Sequence, residues 1–123
     1  MSEPVNTPVL EESILLTIRK LRVGNKDDAS FDGDLLSSIN TALMILNQHN
    51  VGARGFMVLG DTETWQDFLG EDYTRLQGVI TYVDTYVRLQ FDPPNSSYHT
   101  NLLKDTRDEL QWRLNVLTDP SIE

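Results

Sequence analysis

The chain has 123 residues, 39% of them apolar and 24% charged, enough for one domain around one core and too short for two catalytic domains. Ten Lys and Arg against nineteen Asp and Glu give a formal charge of −9. That excludes an ordinary nucleic-acid grip, because backbone binding needs clustered cations to displace counterions. The absence of cysteine removes disulfides, thiolate metal sites, iron–sulfur clusters and Cys nucleophiles, and fits a reducing compartment.

Residues 1–9 are polar, carry Pro4 and Pro8 and lack periodicity, so they read as a flexible N-terminal arm ahead of a single domain over 10–117, with a tail at 118–123. Leu10, Ile14, Leu15, Ile18 and Leu21 recur at helical spacing, predicting a first helix from Leu10 to about Arg22, with Glu11 and Glu12 in its first turn and Gly24 as the stop. A second helix is predicted from Asp32 to Gln48, with Leu35, Leu36, Ile39, Leu43 and Leu46 on one face, Asp32 as N-cap and Phe31 stapling onto Leu36. Phe56 to Leu59 is too short an apolar run for a helix and reads as a small β-hairpin or an extended loop.

Residues 64–70 read as one or two helical turns capped by Asp61 or Thr62 and stopped by Gly70. Asp72 is the expected cap of a long helix from Tyr73 to Phe91 with Leu76, Val79, Ile80, Val83, Val87 and Phe91 inside, ended by Pro93 and Pro94. The last helix is expected from Asn95–Ser97 to about Leu117, burying Leu103, Leu110, Leu114 and Leu117 and pairing Glu109 with Arg113. The fold class is therefore all-α: a small bundle of about four main helices plus a short helical turn.

A search for reactive chemistry finds little. His49 and His99 stand apart from any nucleophile or second ligand and read as cap or surface histidines. Asp28-x-Ser30-x-Asp32-Gly33 imitates the start of a calcium loop but has Leu36 and Ile39 where such a loop needs oxygen ligands. No phosphate-binding, dinucleotide-binding, zinc-protease or nucleophile-elbow motif is present, so no enzymatic activity, no metal and no cofactor is expected. Arg19, Lys20 and Arg22 form a small basic cluster that suits a helix C-terminus. No apolar run reaches the roughly 18 residues of a membrane span, and the first residues have no signal-peptide pattern; a cytosolic chain that avoids membranes is expected.

Five ordered blocks carry a resemblance: Leu10-Glu11-Glu12-Ser13-Ile14-Leu15-Leu16-Thr17-Ile18; Ile39-Asn40 with Met44-Ile45-Leu46-Asn47-Gln48; Thr64-Trp65-Gln66-Asp67-Phe68-Leu69-Gly70; Val87-Arg88-Leu89-Gln90-Phe91-Asp92-Pro93-Pro94; and Glu109-Leu110-Gln111-Trp112-Arg113-Leu114-Asn115-Val116. In these the chain resembles the head-tail connector (head completion, or adaptor) proteins of tailed bacteriophages and prophages. The resemblance implies a helical subunit that assembles as a homo-oligomeric ring below the portal protein and extends the DNA channel. It also implies docking of the next connector, stopper or tail component, and passage of DNA without specific binding. Assembly would take place in the host cytoplasm, ending in the virion. Candidate interface residues are Trp65, Phe68, the Phe91-Asp92-Pro93-Pro94 turn, Trp112 and Arg113, with plain core packing the alternative for each. Two other classes stay open: an acidic helical regulator that mimics DNA, and a metal-dependent nuclease using Asp32 and Asp34.

Overall fold

The computed structural model describes residues 10–71 and 74–118, with side chains through Asn115. Five helices form: α1 (Ile14–Arg22), α2 (Asp32–Gln48), α3 (Trp65–Leu69), α4 (Leu76–Phe91) and α5 (Ser97–Thr118). Among the described residues the one β feature is an isolated antiparallel bridge between Ser13 and Thr64. The all-α expectation holds, and the run at 56–59 is an extended loop, not a hairpin. The expected arm at 1–9, the cap and start at Asp72 and Tyr73, and residues 119–123 of the tail lie outside the described residues.

α1 starts four residues later than its periodicity predicts. Ser13 is extended (φ −66°, ψ 135°) and its hydroxyl accepts from the Leu16 N–H. The backbone before it is held by α3's entry instead: the amides of Trp65 and Gln66 donate to the carbonyls of Glu12 and Leu10, and the Ile14 amide donates to the carbonyl of Glu63. Glu11 and Glu12 thus precede the helix, while Leu10 is still buried. Thr64 and Asp67 close α3 with a reciprocal capping box, displacing the expected caps Asp61 and Thr62, and Gly70 stops it at φ 71°.

α2 has the predicted limits. Its cap is Phe31, not Asp32, and no side chain bonds the first amides. Asp32 is drawn off by Arg19, whose Nε and Nη2 reach the two carboxylate oxygens at 3.1 and 2.6 Å. The buried stripe is Leu35, Ile39, Ala42, Leu43 and Leu46, with Leu36 only half-buried. Phe31 packs its ring edge-on against Phe91 at 5.4 Å between centroids.

After α2 the loop 51–60 is shaped by two asparagines. Asn40 donates to the carbonyl of Val58 and accepts from its amide, at 2.9 and 2.7 Å. A neighbouring strand would offer the same two bonds, so a half-buried side chain replaces a sheet partner. Asn47 likewise donates to the Val51 carbonyl and accepts from the Gly55 amide. Gly52 stands at φ 83°, where a Cβ would overlap the Phe68 ring, so only glycine fits.

α4 is the centre of the bundle. It packs against α2 and α5, and α1 closes onto α2 and α4. It begins at Leu76, with Arg75 at its cap. Gly78 and Tyr82 face α5: a Cβ on Gly78 would lie 3.3 Å from Leu114, and the Tyr82 hydroxyl donates to Gln111 at 3.2 Å. Val79, Val83 and Val87 lie about 100° or more round the helix from Gly78 and join the main core with α2. Phe91, expected inside, is only half-buried.

Candidate interface surface

The sequence candidates divide by burial. Trp65 and Phe68 are core residues, at 0% and 1% exposure. Trp65 sends its indole N–H to the Thr17 hydroxyl at 3.1 Å, and Phe68 lies against Phe56 at 5.4 Å. Neither is open to a partner in this chain, because α3 turns both aromatics under the loop and α1. Phe91 is half-buried against Phe31, Pro93 is exposed and Pro94 half-buried. With Arg88, Asp92, Asn95, Ser96 and His99, the prolines line an open depression of about 450 Å³ at the α4–α5 turn.

Trp112 and Arg113 are at the surface. Trp112 is 65% exposed, and Arg113 pairs with Glu109 at 2.7 Å as the spacing predicted. Tyr98, Leu102 and Trp112 share one face of α5 by helical spacing, and all three are exposed. The opposite side meets α4 through Leu114 and Leu110; Leu103 is half-buried, not buried. The helix is fixed at its C-terminal half by a polar seam. Gln111 bridges Tyr82 and the His49 ring, with Nε2 to Nε2 2.6 Å, and Asn115 donates to the His49 carbonyl at 3.0 Å. His49 is therefore the hub tying the end of α2 to α5. Burial raises the Tyr82 pKa to about 12, so its phenol stays a neutral donor to Gln111.

A second exposed apolar surface had no motif to announce it. Met44, on the side of α2 away from its buried stripe, is exposed, and so are Met57 and Leu59, the latter at 75%. Asn40 turns Val58 inward, so its two neighbours point out. The available signal was charge: residues 35–60 contain one Lys, Arg, Asp or Glu, Arg54.

Of the acids proposed for chemistry, Asp32 is bound by Arg19, and Asp28 is held by hydrogen bonds from the Ser30 side chain and then the Ser30 amide, which lower the Asp28 pKa. Arg22 pairs with Asp84 at 2.7 Å across α1 and α4, so of the basic trio Arg19 and Arg22 are engaged by acids. Among the described residues no group of three His, Asp or Glu is placed to hold a metal ion, and no helix is long and apolar enough to cross a membrane.

No curated protein and no solved structure matches the chain. The family model of phage connector proteins matches residues 14–121, from the first residue of α1 to beyond the end of α5. With the match covering the whole helical bundle, the chain belongs to the phage connector protein family.

Proposed function

We propose that the chain is a head-tail connector subunit that forms a ring below the portal protein, extends the DNA channel and docks the next connector, stopper or tail component. The observation that carries the reading is the family match across α1 to α5. In this reading the protein acts by shape and adhesion, turns over no substrate and needs no cofactor. It is made in the host cytoplasm and ends in the virion. The charge of −9 supports a conduit, since like charge keeps passing DNA from sticking. The exposed aromatic and apolar face of α5 supports a docking role, as Trp and Arg carry much of the energy of interfaces.

Phage lacking the protein should accumulate filled heads without firmly joined tails in electron micrographs. Mass measurement of the protein with its portal should give a defined multiple of the 14.0 kDa chain. Normal joined particles from the deletion, or no association with the portal at any ratio, would refute the reading.

A further inference from the structure

α1 and α4 bring three charged side chains together largely out of water, and their charges do not cancel. Arg22 and Asp84 answer each other, with Nε and Oδ1 2.7 Å apart. Arg88, one turn further along α4, is the surplus cation. It adds to the positive field at the Asp84 carboxylate, yet among the described residues it makes no hydrogen bond and no ion pair, and its Nε is buried without an acceptor. A buried donor left unmatched is costly, and such a group calls for a partner. Arg88 also lines the open depression of about 450 Å³ at the α4–α5 turn, to which the connector reading gives no role. We propose that this depression is an oxyanion site, in which the Arg88 guanidinium receives a carboxylate or phosphate group.

The lining fits that chemistry. A guanidinium holds a planar fork of N–H donors whose spacing matches two oxygens of a carboxylate or phosphate. Asn95 and Ser96 of the turn and His99 of α5's first turn add side chains that can donate. Pro93 and Pro94 stiffen the wall, because a proline ring fixes φ. Asp92 is the opposing charge in the lining. It stands four residues after Arg88, the spacing of a helical ion pair, but among the described residues the two side chains make none; the Asp92 amide donates to the Arg88 carbonyl instead. Asp92 therefore leaves the guanidinium open and repels an incoming anion, which fixes the sign of one test. A cation in the last turn of α4 also suits the helix dipole, but that role needs no ligand and gives no saturable binding.

The test titrates the full-length chain with sodium phosphate and, separately, sodium acetate, against sodium chloride of equal ionic strength, following the backbone amides and the Arg88 Nε–H by NMR. Phosphate, acetate or both should give saturable shifts confined to Arg88 and residues 92–99, with a half-point of about 1–10 mM, as a ligand of a few atoms gives. The tighter of the two identifies the oxyanion. Arg88→Gln should raise the half-point about tenfold or more, the effect of losing a charge-assisted bond, with Arg88→Lys falling between. Asp92→Asn should lower it about threefold, by removing a nearby like charge in water. Circular dichroism should match the parent throughout; if Arg88→Gln unfolds, Asp92→Asn, at an exposed position, decides. Shifts that never saturate, that chloride reproduces, or that Arg88→Gln leaves unchanged mean an adventitious ion only and overturn the site, as does an unchanged half-point in Asp92→Asn. Each of these results leaves the ring reading standing, because the site does not depend on it.

Discussion

α4 and α5 are the two arms of one hairpin, yet they are folded by different forces. α4 buries seven side chains in sixteen residues, and its helix is paid for by the core. α5 has twenty-two residues and, among its described side chains, buries only Leu114. The hydrophobic effect scales with apolar area removed from water, so α5 is held by a narrow seam of Leu110, Leu114, Gln111 and Asn115, helped by the close approach that Gly78 permits. α4 is enclosed by the core, whereas α5 is a long helix with most of its surface left exposed.

The two tryptophans give the largest contrast. Trp65→Ala should cost about 3–5 kcal/mol by opening a cavity under α3 and α1 and removing the indole donor to the Thr17 hydroxyl. Trp112→Ala should stay within about 0.5 kcal/mol. Urea denaturation followed by circular dichroism measures both, and acrylamide should quench the fluorescence of Trp112 far more than that of Trp65. Similar losses from the two changes would mean α5 is folded by the same core as α4, and the comparison would fail.

Asp84 tests the body through its charge. Burial raises its pKa above the ordinary 3.8, against the attraction of Arg22 and Arg88. The folded state then binds the proton more tightly than the unfolded chain. Its stabilising contribution is full below 3.8 and is lost as the pH rises through the folded value. Denaturation of the parent between the two values should show stability falling with pH at this site, and Asp84→Asn should remove that slope. By the same linkage the change should leave stability at neutral pH no lower than the parent's, because it replaces an ionised group that burial disfavours with a neutral one of nearly the same shape.

Asn40 compares the loop with the helices. Asn40→Ala removes both bonds to the Val58 backbone and should cost about 1–2 kcal/mol, with faster amide exchange at 56–60. If stability is unchanged, the loop is held by Val58's burial alone and the outward set of Met57 and Leu59 needs another cause.

Much of this was legible in the residues, and the failures have physical reasons. α2 was placed to the residue because Leu35 to Leu46 repeat at helical spacing between turn signals. The start of α1 was misplaced because Leu10 is apolar and in phase, yet its backbone is claimed by Gln66, a contact between segments far apart in sequence. Asp32 looks like a cap, but Arg19 reaches it first. Thr64-x-x-Asp67 did carry a capping-box pattern that could have outranked Asp61 and Thr62. Among the candidate interface residues, aromatic identity named the exposed Trp112 and equally the buried Trp65 and Phe68, since composition cannot tell a core aromatic from a surface one. Met57 and Leu59 carried only the weak signal of a charge-poor stretch, because their exposure depends on Asn40 turning Val58 inward, whereas Met44's outward place follows from α2's own spacing.

The smallest expected effect is the sharpest check on α5. Its Glu109–Arg113 pair is 2.7 Å long, but the side chains are 64% and 60% exposed for Arg113 and Glu109, against 14% and 21% for Arg22 and Asp84. An exposed pair gains little from Coulomb attraction in water and loses side-chain entropy on forming, so Glu109→Gln should cost no more than about 0.5 kcal/mol. The loss should vanish in high salt, where screening already removes the interaction. A Glu109→Gln penalty that is large and salt-resistant would place α5's outer face against something in the free protein, and its role as an open surface would end there.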